Sequence, residues 1–271
     1  MICDPANPKG SGIVDVWRET FPVRFGSIDK SDRLTLDAIF QFFQEAAICH
    51  AENLGVGRED MAGAGQAWLL SRITVVVDRR PGYRETITVR SWPRGSEKLF
   101  ALRNYDIQDK SGIPVVRARS GWIVIDMEKR RPLRPQSVMD SLPLNEGMET
   151  LPQEAGGAAG LSERANLQKA AERKALYTDI DYFGHVNNVR YVQWIEDSLD
   201  PQLLEKADKM RLDINYLNEI LCGETVEIFS GQITDEKSAA ADSAFAFEGR
   251  KENGQAAFRA ELHLITAENP N

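Results

Sequence analysis

The chain has 271 residues, of which 42% are hydrophobic and 27% charged, a composition typical of a globular protein with one large core or two smaller ones. Its formal net charge of −8 disfavours nucleic acid as a partner, and no apolar run approaches the roughly 20 residues of a membrane span. Three unevenly spaced cysteines argue against a disulfide framework, and the opening segment resembles no signal peptide, so we expect a cytoplasmic protein.

The first half predicts one strand, one helix and then four strands. Residues 17–25 alternate like a strand, and a turn-like segment follows at 27–33. Apolar residues then recur at helical spacing from Leu36, where Thr35 is the expected N-cap and Gly55 the expected stop. The four strands are predicted at 67–79, 85–92, 99–109 and 113–126, with a hairpin turn between the last two.

The second half repeats this order. A strand is predicted at 172–180, and a helix capped by Asn187 or Asn188 is expected to continue to about residue 199, where Pro201 ends it. The segment at 85–89 resembles the segment at 224–228 at a constant offset of 139, which indicates an internal duplication. Glu45 and Glu196 also fall at similar places in the two helices. The remaining strands are predicted at 210–218, 224–233, 244–250 and 256–266.

These patterns divide the chain into two α+β units. Residues 141–170 include a stretch rich in Gly and Ala without periodicity, which predicts a linker between an N-terminal domain at 1–140 and a C-terminal domain at 171–271. Both predicted helices are apolar around most of their circumference, so they must be covered on most sides. A curved antiparallel sheet wrapped around a central helix satisfies this requirement. The predicted fold is therefore α+β, a double hotdog of two tandem units.

Residues 177–194 hold a concentration of acid/base side chains. Asp179, Asp181 and His185 fall within seven residues, just before the predicted second helix. Carboxylates and an imidazole at a helix N-terminus are suited to proton transfer and to stabilising negative charge on oxygen. The corresponding turn of the first half has no histidine, and the 139 offset aligns Glu219 with Arg80. We therefore expect only the second half to retain acid/base chemistry.

Several motifs point to one family. The pattern Asp-x-Asp-x-x-Gly-His-Val-Asn-Asn occupies 179–188, and the first half adds Phe-Gln-Glu-Ala at 43–46 and Trp-Leu-Leu-Ser-Arg at 68–72. Together these motifs resemble the fatty acyl-ACP thioesterases of bacteria and plastids over about residues 15–265. The resemblance implies a double hotdog whose N-terminal unit holds the acyl chain and whose C-terminal unit holds the catalytic groups. It implies hydrolysis of fatty acyl-ACP to free fatty acid and ACP, which terminates fatty acid synthesis.

The resemblance also implies the catalytic residues. Asp181 and His185 match the family's aspartate and histidine, and Glu219 matches a family glutamate within Tyr-Leu-Asn-Glu at 216–219. A carboxylate can act as a general base or attack the thioester directly to form an anhydride. The backbone N–H of Asn188, at the start of the second helix, is the expected donor to the oxyanion.

The chain departs from the plant members of this family at two positions. Phe183 stands where plant members have an asparagine that is assigned to the site. Cys222 is separated from Glu219 by two residues, whereas the plant cysteine follows the glutamate directly, so it is not carried over as a nucleophile. The first helix and the strand after it are expected to line the acyl slot. The residues predicted to do so, which would be core in any helix-on-sheet protein, are Phe40, Phe43, Trp68, Leu70 and Ile73.

The expected partner is acyl carrier protein bearing a phosphopantetheine-linked acyl chain. Basic segments at 79–84 and 129–134 could receive this acidic protein. No cofactor and no metal are expected, because water-activating carboxylates suffice for the chemistry, and a homodimer is compatible with the sequence. Two alternatives stay open, an acyl-CoA thioesterase and a non-enzymatic acyl-binding hotdog protein.

Overall fold

The computed structural model describes residues 13–140, 142–145, 147–148, 150–151, 165–234 and 242–266. In this part of the chain, eleven strands form one sheet. The strands are β1 (Trp17–Pro22), β2 (Gln66–Val77), β3 (Thr86–Glu97), β4 (Phe100–Gln108), β5 (Pro114–Asp126), β6 (Arg131–Leu133), β7 (Gln168–Lys174), β8 (Ala207–Tyr216), β9 (Thr225–Gln232), β10 (Ser243–Lys251) and β11 (Ala256–Thr266). The α-helices are α1 (Leu36–Asn53), α2 (Arg58–Gly63), α3 (Gln136–Met139), α4 (Asn188–Glu196) and α5 (Pro201–Lys206).

The order of the strands divides the sheet into two similar units. The order is β1-β3-β4-β5-β2-β8-β11-β10-β9-β7, with β6 beside β5. Strands from the first half of the chain therefore occupy one side of the sheet, and strands from the second half occupy the other. Each unit has one long central helix, α1 or α4, whose buried side chains belong to the core under the sheet.

The start and end of α1 follow the capping signals in the sequence. Thr35 Oγ1 accepts a hydrogen bond from the Ala38 N–H at 3.4 Å, which satisfies one of the free donors at the helix N-terminus. Gly55 lies just after the helix with a φ of +70°, a conformation that favours glycine. The helix buries Phe43, whose ring centroid lies 4.9 Å from that of Tyr105 on β4. The predicted first helix, its cap and its stop are confirmed.

The second central helix begins in the same way. Asn187 is the N-cap of α4, and its Oδ1 accepts from the Val189 N–H at 2.9 Å. One turn later, the buried ring of Tyr191 lies edge-on against Tyr216 (5.4 Å between centroids) and Phe258 (5.3 Å). These contacts fix the helix against β8 and β11, and they place its N-terminus at the end of the unit that holds the acid/base residues.

The two units share one seam and one core. β2 pairs with β8 in antiparallel fashion, with Ile73 opposite Ile214 and Val75 opposite Leu212. All four side chains are buried in a cluster that also includes residues of both central helices. Burial of this apolar surface stabilises both units at once.

The backbone hydrogen bonds of the two halves repeat, which confirms the internal duplication. The Asp29 N–H donates to the Arg33 carbonyl at 2.9 Å, as the Asp181 N–H donates to the His185 carbonyl at 2.8 Å. A bond from the amide of residue 23 to the carbonyl of residue 85 recurs between residues 175 and 224. Equivalent positions are therefore 152 residues apart (181 − 29) through the loop and central helix, and 139 apart (224 − 85) in the strands that follow.

The structure differs from the sequence prediction mainly at element ends. β1 ends at Pro22 and β7 begins at Gln168, so the predicted strands at 17–25 and 172–180 each extended into a 3-10 turn. α4 ends at Glu196, and Pro201 begins α5 at the position where its fixed φ and missing N–H are tolerated. Asp200 caps that helix by accepting from the Gln202 N–H at 3.0 Å. The short elements α2, α3, α5 and β6 were not predicted.

The predicted α+β class is confirmed by the curved antiparallel sheet and its central helices. The proposed domain limits stay a prediction, and most of the region predicted as a linker, 141–170, lies outside the described residues. None of the described helices combines the length and apolar content that crossing a membrane requires.

Candidate functional site

A tight loop between the 3-10 turn at Tyr177–Asp179 and α4 positions Asp181. The Asp181 carboxylate accepts from the Phe183 N–H at 2.8 Å, and its carbonyl accepts from the Gly184 N–H at 3.1 Å. Gly184 has a φ of +84°, which only glycine adopts without strain. The contact at position 183 uses the backbone, so a phenylalanine supplies it as well as the asparagine of the plant pattern would.

His185 and Glu219 are brought together by the fold. His185 Nε2 lies 2.9 Å from Glu219 Oε2, with side chains 36% and 51% exposed respectively. A β-bridge between His185 and Leu221 aligns the two segments. Lys251 Nζ donates to the Glu219 carbonyl at 2.9 Å, and Arg130 Nη2 lies 3.7 Å from its Oε1. The sequence motif is thus completed by a glutamate 34 residues (219 − 185) further along the chain.

Tyr191 lies beneath this group and was not identified as a site residue from the sequence. Burial raises the pKa of its hydroxyl well above the usual value, and the charges of Asp181, Glu219 and Glu224 raise it further. The hydroxyl therefore stays neutral in the physiological range. The Asp181 N–H donates to the His185 carbonyl at 2.8 Å, which keeps these two residues together in the loop before α4. We call Asp181, His185 and Glu219 the acid/base group.

The N-terminus of α4 presents a free backbone donor. Asn187 uses its side chain for the Val189 N–H, while the Asn188 N–H has no acceptor in the part of the chain that the structure describes. The Asn188 carbonyl accepts from the Tyr216 hydroxyl at 3.1 Å, which holds the first turn of the helix on β8. Free N–H groups at a helix N-terminus favour negative charge on a nearby oxygen. The Asn188 N–H is therefore suited to its predicted role as the donor to the oxyanion.

A cleft of about 930 Å³ lies between the first-half helix α1 and the loop before α4. Phe21 and Phe42 supply apolar wall, with their rings 5.0 Å apart, and Asn187 and Val189 bring the start of α4 to it. The loop at 179–187 thus contributes residues both to the cleft and to the acid/base group. The complete lining is Glu19, Thr20, Phe21, Arg24, Ser27, Gln41, Phe42, Gln44, Glu45, Thr178, Asp179, Ile180, Asn187, Val189 and Arg190.

The five residues predicted to line the acyl slot do not line this cleft. Phe40, Phe43 and Ile73 are buried in the main core. Trp68 is half-buried, and its indole N–H donates to the Val56 carbonyl at 3.0 Å, while Leu70 is half-buried on β2. Their role in acyl binding stays a prediction.

The first half carries a different set of side chains at the positions equivalent to the acid/base group, namely Asp29, Arg33 and Arg80. Arg80 Nη1 pairs with Asp29 Oδ2 at 2.8 Å, and its Nη2 donates to the Leu204 carbonyl of α5 at 3.2 Å. Arg33 Nη1 pairs with Asp208 Oδ1 at 2.6 Å. Both guanidinium groups are held in ion pairs and contact backbone carbonyls of α5, so this set differs in chemistry from the acid/base group of the second half.

Neither a metal site nor a cysteine nucleophile is indicated among the described residues. Across the described residues, no three His, Cys, Asp or Glu side chains converge as a metal site. Cys222 is free and exposed, and Cys49 is buried and disulfide-bonded. The disulfide at Cys49 differs from the sequence prediction, which expected no disulfide framework.

Comparisons with known proteins agree with the fold. The chain is 28% identical over 267 residues to a chloroplastic palmitoyl-acyl carrier protein thioesterase of Cuphea hookeriana, covering 94% of this chain and 63% of the relative. The chain thus spans about 60% of the length of the first curated relatives it matches. An acyl-ACP thioesterase structure from Bacteroides thetaiotaomicron has a TM-score of 0.75 and 26% identity, covering 92% of this chain and 97% of that one.

The fold prediction is confirmed by these structures. A 12:0-ACP thioesterase from Umbellularia californica has a TM-score of 0.72 at 20% identity, covering 93% of this chain and 98% of that one, and so shares the fold. The family model for the acyl-ACP thioesterase N-terminal domain matches residues 14–141, and the model for the C-terminal domain matches 162–264. With both domain models matched in order, the chain belongs to the acyl-ACP thioesterase family, as its motifs predict.

Proposed function

We propose that this protein hydrolyses the thioester of fatty acyl-ACP to free fatty acid and ACP, and so terminates fatty acid synthesis. The observation that carries the proposal is the acid/base group beside the start of α4, where His185 and Glu219 are 2.9 Å apart and the Asn188 N–H has no acceptor among the described residues. Membership of the acyl-ACP thioesterase family supports the same substrate.

In the proposed reaction, Asp181 acts on the acyl carbon either through an activated water or by direct attack. The Asn188 N–H donates to the carbonyl oxygen as negative charge develops on it. The carbon–sulfur bond breaks, and the departing thiolate takes a proton from His185, whose ring is oriented by Glu219. His185 regains a proton from the water molecule that enters the reaction. In both routes a water molecule supplies the hydroxyl of the free acid, and the carrier leaves as a thiol.

The proposal is tested by a turnover profile across acyl-ACPs of graded chain length, with matched acyl-CoAs assayed in parallel. We expect hydrolysis of acyl-ACP by the wild type and loss of nearly all of it in Asp181→Ala with the fold retained. Wild-type-like activity of Asp181→Ala would overturn the assignment of the site. Faster turnover of the matched acyl-CoAs would favour an acyl-CoA thioesterase, and tight acyl binding without turnover would favour a non-enzymatic acyl-binding protein.

The basic turn between β5 and β6 is the proposed docking surface for the carrier protein. Lys129, Arg130 and Arg131 are exposed there, and Arg130 reaches to 3.7 Å from Glu219. The other basic segment is engaged internally, since Arg79 pairs with Glu85 at 2.6 Å and Arg80 is buried. Opposite charge steers association more than it adds affinity, and the effect weakens with salt.

Charge reversal at this turn tests the docking surface. In Lys129→Glu combined with Arg131→Glu, we expect a higher KM for acyl-ACP, a weaker salt dependence, and unchanged hydrolysis of short thioester analogues. Lys110→Glu is the control, because Lys110 is exposed in the hairpin at the opposite end of β5. An unchanged KM for acyl-ACP would contradict the proposed surface.

We also propose a cytoplasmic location and a homodimer. The disulfide at Cys49 weighs against a reducing compartment, so a thiol titration of the unfolded protein, isolated without reductant, is the direct test. Three free thiols would support the cytoplasmic location, and one free thiol would contradict it.

The homodimer is tested separately. The exposed rings of Phe25 and Tyr177 offer apolar surface for a dimer, which light scattering would detect as twice the mass of the chain.

A further inference from the structure

The duplicated helices begin in different surroundings. At the start of α1, Glu196 from the end of α4 fills the space in front of the helix. Its Oε1 accepts from the Leu36 N–H at 3.1 Å and its Oε2 from the Asp37 N–H at 3.2 Å. Gln193, one turn earlier on α4, donates to Asp37 Oδ2 at 2.7 Å. The N-terminus of α1 is thus occupied by side chains from the other half.

The start of α4 is open instead. Its first residue, Asn188, is equivalent to Leu36, because the two N-caps and the loops before them are 152 residues apart. The same offset makes Gln44 the counterpart of Glu196 (196 − 152), and not Glu45 as the sequence comparison predicted. Within the described residues, the Asn188 N–H lacks the acceptor that its counterpart has in Glu196.

Gln44 is placed to act at this open end. It lines the 930 Å³ cleft together with Asn187 and Val189, which are the residues on either side of Asn188. Glu196 contacts the start of α1. Because Gln44 is the counterpart of Glu196, the duplication predicts that the end of the Gln44 side chain faces the start of α4. A carboxamide differs from a carboxylate in one respect that matters here, because its NH₂ group donates hydrogen bonds.

We propose that Gln44 is a catalytic residue of the second-half site: its Nε2 and the Asn188 N–H together donate to the thioester carbonyl oxygen. As water or Asp181 adds to the carbonyl carbon, this oxygen takes up the negative charge. The two donors stabilise that charge until the carbon–sulfur bond breaks and the carbonyl re-forms. The inference rests on the proposed thioester hydrolysis, and it adds a residue from the first half to a site otherwise built by the second.

The size of the expected effect follows from the chemistry. A donor that is aimed at a developing oxyanion stabilises the transition state more than the bound substrate. Removing one such donor from an acyl-transfer site costs about 10² to 10³ in kcat. Gln44→Ala is therefore expected to lower kcat by that factor with little change in KM. Gln44→Glu, which keeps the shape and replaces the donor by an acceptor, is expected to lose at least as much.

The experiment compares kcat and KM of wild type, Gln44→Ala, Gln44→Glu and Gln193→Ala on one acyl-ACP that the wild type turns over. Gln193→Ala is the matched control, since it removes a carboxamide at the closed helix start that is not among the residues lining the cleft. Its kcat should stay close to that of the wild type. Absence of wild-type turnover on every acyl-ACP in the graded series would refute the proposed function itself, whereas turnover with Gln44→Ala within threefold of wild type would overturn only this inference.

A binding measurement separates a catalytic contact from structural damage. Two non-hydrolysable acyl-ACP analogues are used, a ketone in which CH₂ replaces sulfur and a thioether in which CH₂ replaces the carbonyl. Gln44→Ala should weaken binding of the ketone and leave binding of the thioether unchanged, because only the ketone has an oxygen for the two donors. Equal weakening of both analogues would mean that Gln44 only supports the shape of the cleft, and would overturn the inference.

Discussion

The pairing of His185 with Glu219 determines which imidazole nitrogen is free for chemistry. Nε2 faces the Glu219 carboxylate at 2.9 Å, so in the neutral ring this nitrogen carries the proton and Nδ1 is the acceptor. Glu219 is itself held in place, because Lys251 Nζ donates to its carbonyl at 2.9 Å. The glutamate therefore acts through the histidine, by orienting the ring.

Substitution of Glu219 should reveal this positioning role. In Glu219→Gln, the amide oxygen can still accept from Nε2, but the negative charge beside the ring is lost. We expect Glu219→Ala to lower kcat by up to about 10²-fold, near the lower end of general acid/base contributions, and Glu219→Gln to recover part of that loss. The measurement is kcat and KM for acyl-ACP as a function of pH.

The control for this prediction is Glu227→Gln. Glu227 lies on β9 and pairs with Lys169 at 2.6 Å, so this variant removes a carboxylate that is not part of the acid/base group. Its activity should match the wild type. If Glu219→Ala also kept wild-type kcat and the same pH profile, the 2.9 Å pairing would have no part in catalysis.

At the scale of single residues, the sequence predicted the acid/base group but not Gln44. Asp181 and His185 lie in one continuous motif, and Glu219 follows a recognisable local pattern. Gln44 reaches the same site from another helix, and no local pattern indicates which side chain faces a helix start across the fold. The only signal was the duplication, and its offset changes from 152 to 139 between the helix and the later strands.

At the scale of elements, the capping of α1 by Glu196 ties one helix to the other. Burial raises the pKa of Glu196 from its ordinary 4.5 to about 8, and the nearby charge of Asp37 raises it further. Hydrogen bonds from the Leu36 and Asp37 N–H groups and the positive charge of Arg80 act in the opposite direction. The folded protein thus binds a proton at Glu196 more tightly than the unfolded chain does.

This shift makes stability depend on pH in a definite direction. The contribution is fully present below pH 4.5, where both states are protonated, and it is lost as pH rises through about 8. The maximum loss is about 5 kcal/mol, from roughly 1.4 kcal/mol per pKa unit. In Glu196→Gln this titration is absent, so the difference in Tm between wild type and variant should shift in favour of the variant between pH 5 and pH 8.5.

The comparison uses a difference because other groups titrate too. Burial lowers the pKa of His50 to about 3, so its contribution to stability is lost as pH falls below its ordinary value of 6.5. The His50 contribution is the same in the wild type and in Glu196→Gln, so it cancels in the difference between their Tm values. Parallel Tm curves for wild type and Glu196→Gln across this range would contradict the raised pKa of Glu196.

Element ends were the part of the fold that the sequence predicted least well. Pro201 was expected to terminate a helix, and it begins one, because proline fits the first turn of a helix as well as the residues after its end. The strand predicted at 172–180 was placed too late, since β7 is an edge strand with mostly exposed side chains and little alternation. Long buried elements such as α1 and β5 carry stronger periodicity and were predicted close to their observed limits.

At the scale of the whole molecule, the two units depend on each other. The sequence predicted two similar units, but it could not predict that β2 and β8 join them, because strand pairing across domains leaves no local signal. The seam makes one sheet, the central helices share one core, and Arg130 of the first half lies 3.7 Å from Glu219 of the second. The proposed site is likewise shared, with a cleft lined by both halves.

A cavity at the seam should therefore destabilise both units together. Leu212 on β8 is fully buried opposite Val75 on β2, so Leu212→Ala is expected to cost about 2–5 kcal/mol and to lower Tm in a single transition. Tryptophan fluorescence, which comes mainly from the first unit because four of the five tryptophans lie there, and far-ultraviolet circular dichroism should report the same midpoint. Leu69→Ala, at a half-exposed position on β2, makes the same chemical change and should cost less than about 0.5 kcal/mol. Two separate transitions, with the first-half signal unaffected by Leu212→Ala, would mean that the units fold independently in spite of their common sheet.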